Sequence, residues 1–265
     1  SAAQVISRPN YNDMFSNYSL SGYDDASDTN QAVVKGTPEL SPFKAFQSDL
    51  GVEWYYSDSS MVSAAYFVKE VNTFTTFSSA PGTSIGIVDP GTNTDSWDFQ
   101  SYEDGDGGSI DGVELQWQHA FDSGFGTVVN YTYANTDANA ENFVDRNAVF
   151  SDSSDHTVNL VGYYENELFS ARAAYSWRSE YMIRETGFYG AREHQEFGTL
   201  DLSAAWFVTD NITVTFDAVN VLEEDSIQLG ADKKDVPAAN RFSQGFPVAS
   251  YEGEARYSVG AQFRF

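Results

Sequence analysis

The stretch 103–112, EDGDGGSIDG, concentrates residue types that could bind a metal ion. Closely spaced carboxylate and carbonyl oxygens are the ligands that Ca²⁺ prefers in proteins. The stretch lacks the full ligand order of a calcium-binding loop, and it lacks the bidentate Glu that closes such a loop. We therefore interpret residues 103–112 as a solvated acidic loop, and we predict neither a metal site nor a bound cofactor.

Catalytic groups are not spaced for a recognisable reaction. His119, His156 and His194 stand apart in the sequence, and no Ser–His–Asp order or nucleophile-elbow motif accompanies them. The 39 Asp and Glu residues are too numerous for an acid–base pair to be chosen without geometry. We predict a protein that is not an enzyme, in which His119 and His156 pack near strand ends on an outward face.

Arginine and aromatic side chains remain as candidates for binding a small molecule. Arg172 and Arg178 alternate with apolar residues and would point to the same side of one strand. Aromatic rings in polar stretches could stack on sugars or aromatic chelators, with ordinary loop packing as the alternative role. The predicted substrate contacts are Tyr11, Tyr18, Trp97, Arg172, Arg178, Tyr181, Tyr189 and Phe242.

The composition of the 265 residues narrows the class of protein. A net charge of −25 opposes nucleic-acid binding, because phosphates are bound where Lys and Arg cluster. The longest apolar run, residues 61–68 with a break at Ser63, is far shorter than the roughly 18 residues of a membrane helix. Any membrane span must therefore be a β-strand, and the 15% aromatic content favours strands and membrane interfaces.

About ten segments are β-prone, and most of them alternate between apolar and polar residues. Eight can be assigned two faces, and their apolar faces contain no Asp, Glu, Lys or Arg. The orientation of residues 60–74 stays open, because 61–68 are apolar on both faces. A charge at the bilayer midplane costs roughly 2–4 kcal/mol, which explains the exclusion. We predict an all-β protein, a transmembrane antiparallel β-barrel whose charged face lines an aqueous lumen.

Connection lengths also alternate as outer-membrane barrels require, short on one side of the membrane and long on the other. Aromatic residues gather beside the short turns, as an interfacial girdle would. A soluble β-sandwich is the alternative, but its turns tend to have similar lengths at both ends. The short turns lie at 57–60, 122–124, 165–167 and 209–211, and the long polar segments near 9–43, 77–107, 135–152, 183–195 and 223–250.

Several short motifs, in this order and spacing, resemble one family. SRPNYNDM at 7–14, GTPELSP at 36–42 and DLGVEWYY at 49–56 resemble the barrel of TonB-dependent outer-membrane receptors. AVNVLEE at 218–224 and YSVGAQFRF at 257–265 are similar to the last two strands of that family. The resemblance implies a barrel of about 22 strands that is plugged by an N-terminal domain. With about ten strands, residues 1–265 would be the C-terminal part of this barrel, without the plug.

The resemblance also implies function and partners. Such a receptor would lie in the outer membrane of a Gram-negative bacterium and contact its lipid. Its loops would capture a scarce nutrient, an oligosaccharide or a metal chelate, for inward transport driven by the TonB complex through the plug. The barrel assembly machinery would recognise the C-terminal strand that ends in Phe265. A complete ten-stranded outer-membrane barrel acting as an adhesin, pore or hydrolase is the alternative.

Overall fold

The computed structural model describes residues 1–21, 31–86, 97–138, 152–183, 192–231 and 245–265, and these ranges are almost entirely β. The strands are β1 (Ala2–Ser7), β2 (Tyr18–Ser21), β3 (Gln31–Lys35), β4 (Phe43–Ser57), β5 (Ser60–Pro81), β6 (Trp97–Ala120), β7 (Phe125–Ala138), β8 (His156–Glu165), β9 (Phe169–Arg178), β10 (Tyr181–Ile183), β11 (Arg192–His194), β12 (Phe197–Thr209), β13 (Ile212–Val219), β14 (Ser226–Gly230), β15 (Pro247–Tyr251) and β16 (Arg256–Phe263). The helices are α1 (Tyr11–Met14) and a 3-10 helix at Gly82–Ile85. Neither helix of the described ranges is long and apolar enough to cross a membrane.

Ten strands form one antiparallel path in the order β1-β4-β5-β6-β7-β8-β9-β12-β13-β16, which confirms the predicted all-β fold. β3 pairs in parallel with the start of β6 and carries β2 on its other edge. A second sheet has the order β10-β11-β14-β15. A closed ten-stranded barrel would pair β1 with β16, and the described residues contain no such pairing.

The register of the strand pairs tests the predicted faces, because directly opposed residues in an antiparallel pair share a face. Leu160 lies opposite Tyr175, which in turn lies opposite Leu200. On the other face, Arg172 lies opposite Ser203. Along the main sheet, in the order β6-β7-β8-β9-β12-β13-β16, the residues assigned to the apolar face pair with one another in this way. The two faces predicted from the alternation are confirmed.

Pairing settles the orientation of β5, which the sequence left open. Val62 lies between Trp54 of β4 and Trp117 of β6, so it belongs to the apolar face. Tyr66 lies on the same face, and Met61 lies on the charged face. Because β5 is apolar on both sides, only its two neighbours could decide which side meets which environment.

The prediction of a solvated acidic loop at 103–112 was wrong, because this stretch lies in the middle of β6. β5 extends to Pro81 and supplies its partner residues, for example Thr73 opposite Asp106. Asp and Gly are depleted in strands, so the stretch has little tendency to form one unaided. The Thr- and Phe-rich end of β5 provides the backbone hydrogen bonds that hold it extended.

Other segments predicted as loops also contain regular structure. The stretch 9–43 contains α1, β2 and β3, and the stretch 223–250 contains β14 and most of β15. Tyr251 ends β15, and the closing strand β16 covers Arg256–Phe263, within and just before the motif at 257–265. The four short turns, which connect β4–β5, β6–β7, β8–β9 and β12–β13, are confirmed.

The main sheet has no thick hydrophobic core. The buried apolar residues of the described ranges are few, namely Val33, Leu40, Phe74, Ala134 and Ala218. By contrast, Leu50 and Val259 on the apolar face are each 76% exposed. A β-sandwich would bury that face against a second sheet about 10 Å away. The β-sandwich alternative therefore does not describe this sheet.

Candidate functional site

The charged face of the sheet carries a row of polar residues across four neighbouring strands. Tyr163 of β8 lies opposite Arg172 of β9, and Ser203 of β12 lies between Arg172 and Asp217 of β13. The period-2 alternation of each strand puts these side chains on one face. The row therefore places one cation and one anion on the wall, with a hydroxyl-bearing residue between them.

A cavity of about 660 Å³ opens over this row, and Asn130 and Glu165 also line it. Arg172 and Asp217 are exposed. Within the described part of the chain, the guanidinium of Arg172 makes no hydrogen bond or ion pair. An unpaired guanidinium presents a planar fork of donors that matches a carboxylate or phosphate. The cavity can therefore bind an acidic group from a solute or from another protein segment.

Arg178, at the far end of the same strand, is engaged on several sides. Its Nε donates to Ser154 Oγ at 2.8 Å, and its Nη2 donates to the carbonyl oxygen of Asp152 at 2.7 Å. Its Cζ lies 3.8 Å from the centre of the Tyr181 ring, as in a cation–π contact. The structure thus brings together two of the predicted substrate contacts, Arg178 and Tyr181. Their contacts connect β9 to β10 and to the segment that precedes β8.

The Tyr181 ring also stacks on His194, with centroids 5.0 Å apart and planes 7° apart. His194 is 8% exposed, and its Nδ1 donates to the carbonyl oxygen of Gln195 at 2.7 Å. Phe197 meets the His194 ring edge-on at 5.9 Å. Arg178 and Phe197 belong to the main sheet, whereas Tyr181 and His194 belong to the four-stranded sheet. The cluster therefore joins the two sheets.

The other predicted substrate contacts lie apart from this cluster. Tyr11 begins α1 and is 68% exposed. The centre of the Tyr18 ring, in β2, lies 5.5 Å from the Nζ of Lys35. Trp97 is the first residue of β6. Tyr189 and Phe242 lie outside the described residues. The described part of the chain thus does not gather the predicted residues into one site.

Two features of this region were missed in the sequence. Tyr163 could have been assigned to the charged face, because its neighbour Tyr164 falls on the apolar face of β8. The role of His194 gave no local signal, since its partners Tyr181 and Ser226 are distant in sequence and the Nε2–Oγ distance to Ser226 is 2.9 Å. The described residues contain no group of three or more His, Cys, Asp or Glu that could hold a metal ion.

The family model for the β-barrel of TonB-dependent receptor-like proteins matches residues 1–221. The chain belongs to the TonB-dependent receptor β-barrel family. This match confirms the resemblance stated from the motifs. No curated protein sequence matches the chain.

Solved TonB-dependent receptors share the fold at low sequence identity. A ferric enterobactin receptor PfeA mutant from Pseudomonas aeruginosa is 16% identical, with a TM-score of 0.66 over 98% of this chain and 37% of that chain. The siderophore receptor PirA from Acinetobacter baumannii is 14% identical, with a TM-score of 0.60 over 100% and 38%. The copper transporter OprC is 18% identical, with a TM-score of 0.59 over 100% and 37%. The chain thus spans well under half the length of these receptors.

Proposed function

We propose that residues 1–265 form part of the barrel wall of an outer-membrane receptor that takes up a scarce nutrient. The complete receptor would hold a plug domain in its lumen and would draw energy for transport from the TonB complex. In this proposal the apolar face of the sheet contacts lipid, and the charged face surrounds the path of the nutrient.

One observation carries the proposal, namely the segregation of charge between the two faces. Glu53, Glu114, Arg172, Asp201 and Asp217 share the charged face through the strand registers. The opposite face keeps large apolar side chains exposed along the same strands. A strand wall of this kind is stable where lipid lies on one side and water on the other. The family match over residues 1–221 supports the same placement.

We propose a metal chelate as the first candidate nutrient. Of the similar structures, PfeA is a ferric enterobactin receptor, PirA is a siderophore receptor and OprC is a copper transporter. An oligosaccharide is the second candidate for the same path. Arg172 would bind an acidic group of the solute or of the plug. The other predicted substrate contacts stay predictions for nutrient capture near the outer mouth of the barrel, namely Tyr11, Tyr18, Trp97, Arg178, Tyr181, Tyr189 and Phe242.

Uptake by cells that depend on the full-length protein tests this function. We expect radiolabelled iron or copper chelates to accumulate only when TonB is present, and the protein to fractionate with the outer membrane. Accumulation that is unchanged without TonB would contradict the proposed energy source. A labelled oligosaccharide series, run in the same cells, would identify the second nutrient class if the chelates fail.

A further inference from the structure

Two aromatic side chains, Trp117 and His119, contact the hydroxyl oxygen of Tyr56 at the short-turn end of the apolar face. Trp117 Nε1 donates to Tyr56 Oη at 2.9 Å, and the Nδ1 of His119 lies 2.9 Å from the same oxygen. The His119 ring stacks on Tyr56 with centroids 5.7 Å apart and meets Phe121 edge-on at 4.2 Å. Ser60, which lies on the same face between β4 and β6, is only 2% exposed. This network holds the imidazole of His119 in one orientation.

The hydrogen bonds of Tyr56 leave one nitrogen of His119 uncommitted. Trp117 can only donate, so the tyrosine oxygen accepts from it. The tyrosine proton then goes either to Nδ1 of His119 or to the carbonyl oxygen of Gln118, which lies at 3.5 Å. In the first arrangement Nδ1 accepts the hydrogen bond, so the ring hydrogen lies on Nε2, which is then a donor. In the described part of the chain, Nε2 has no hydrogen-bond partner.

An imidazole nitrogen on a lipid-facing surface needs a partner, because leaving a polar group unsatisfied in an apolar environment costs free energy. His119 lies on the apolar face, two residues from the turn that follows β6. In a bilayer that position is the level of the headgroups, where the aromatic girdle ends. Lipid phosphates lie at this level and can accept a hydrogen bond from Nε2–H.

The two turns beside this cluster favour one headgroup over others by their charge. Asp58 lies in the β4–β5 turn and Asp122 in the β6–β7 turn, and both are exposed. Residues 57–60 and 121–124 contain no Lys or Arg. Carboxylates just beyond the phosphate level repel an anionic headgroup and attract an ammonium group.

We propose that Tyr56, Trp117 and His119, with Asp58 and Asp122, form a binding site for a phospholipid that carries a primary ammonium headgroup, as in phosphatidylethanolamine. Nε2–H of His119 donates to a phosphate oxygen, and the ammonium group donates to the turn carboxylates. The site lies in the leaflet on the short-turn side. This inference rests on the membrane placement in the proposed function.

Lipid retention by the full-length protein tests the site. The protein is equilibrated in detergent with equal amounts of phosphatidylethanolamine, phosphatidylcholine and phosphatidylglycerol of matched acyl chains, and retained lipids are counted by native mass spectrometry. We expect phosphatidylethanolamine to be retained preferentially. His119→Phe keeps an aromatic ring but removes the nitrogen, and it should lower this retention roughly tenfold, as for one hydrogen bond to a charged group.

Phe125→Leu is the matched control, because Phe125 lies on the same face at the same membrane level and carries no polar atom. It should retain phosphatidylethanolamine as the unmodified protein does. Asp58→Asn combined with Asp122→Asn should make the retention of phosphatidylethanolamine and phosphatidylcholine equal. Should His119→Phe fail to fold, as judged by its heat-dependent gel mobility, Tyr56→Phe releases the imidazole and should also lower retention.

Full retention by a folded His119→Phe variant would overturn the site, as would equal retention of phosphatidylglycerol by the unmodified protein. Failure of the membrane placement has a different signature. In that case the unmodified protein and the Phe125→Leu variant would both stay in solution without detergent and retain no phospholipid at all.

Discussion

Tyr175 lies directly opposite Leu160 across the β8–β9 pair, and both side chains belong to the apolar face. The residues next to them in sequence, Ala174 and Val161, also oppose each other, but on the charged face. Two adjacent pairs of one ladder thus meet different environments. Substitutions at two consecutive residues of β8 can therefore compare the two faces at nearly the same depth in the membrane.

Leu160→Lys and Val161→Lys test the placement of the two faces. Leu160→Lys should reduce the free energy of folding in lipid by roughly 2–4 kcal/mol, because it places a charge at the level of the hydrocarbon. Val161→Lys puts the same charge on the lumen side and should cost under about 1 kcal/mol. Denaturant titration of the full-length protein in lipid vesicles measures both values. Equal costs would mean that the faces are assigned incorrectly.

Substitutions of the two arginines of β9 should have different effects, one on local stability and the other on nutrient uptake. Arg178→Gln loses two donated hydrogen bonds and the contact with Tyr181, so local opening of β10 should become easier by about 2–3 kcal/mol. Hydrogen exchange of residues 181–183 measures this change. Arg172→Gln should leave that exchange unaltered, because the Arg172 side chain makes no such contacts within the described ranges.

Arg172→Gln should instead weaken binding of the nutrient on its path through the lumen. If Arg172 binds one acidic group, its loss should reduce the apparent affinity of uptake roughly tenfold. Concentration-dependent uptake of the labelled nutrient measures this effect, and Arg172→Lys should restore part of it because Lys keeps the charge without the planar fork. Unchanged uptake by Arg172→Gln would remove this residue from the path.

Asn220 should stabilise the junction between β13 and β14. Its backbone has a φ of 53°, and its side-chain Oδ1 accepts from the Glu224 backbone amide at 3.1 Å. Its backbone amide donates to Asp201 Oδ1 at 2.9 Å. Asn220→Ala should destabilise the protein by about 2–3 kcal/mol, because it loses the side-chain bonds and strains a left-handed residue. Asn220→Gly relieves the strain and should cost about 1 kcal/mol less.

Thermal unfolding in detergent compares these variants with Asn211→Ala, whose side chain makes no hydrogen bond within the described ranges. Asn211→Ala should unfold close to the temperature of the unmodified protein. Identical unfolding temperatures for Asn220→Ala and Asn220→Gly would show that backbone strain contributes nothing at this junction.

Asp13 should make the docking of α1 depend on pH. Burial raises the pKa of the Asp13 carboxyl above its ordinary value of 3.8, since burial disfavours the charged form. The docked segment therefore binds the proton more tightly than the free segment does. Docking is strongest below the ordinary pKa and weakens as the pH rises through the raised pKa.

The amide of Thr37, which donates to the backbone oxygen of Asp13 at 2.8 Å, reports this docking. After correction for intrinsic rates, its protection from hydrogen exchange should fall as the pH rises from about 3.8. Asp13→Asn should abolish that dependence. The Gly86 amide, which donates to Thr83 in the 3-10 helix, is the control and should show no such change.

Features that depend only on neighbouring residues could be predicted from the amino-acid sequence. Alternation assigned Tyr175 and Arg172 to opposite faces, because a strand turns successive side chains to opposite sides whatever its partners are. Turn-forming residues placed the four short connections, and the order of short motifs indicated the family. These are local properties, and the strand registers agree with them.

Features that depend on distant partners could be seen only once the strands were paired. The acidic stretch 103–112 is a strand because the end of β5 supplies its hydrogen bonds, and β5 itself is oriented by Trp54 and Trp117. His119 gains its role from Tyr56, which lies 63 residues away. Pairing between remote segments sets these contacts, and the period of any single strand carries no information about which segment will lie beside it.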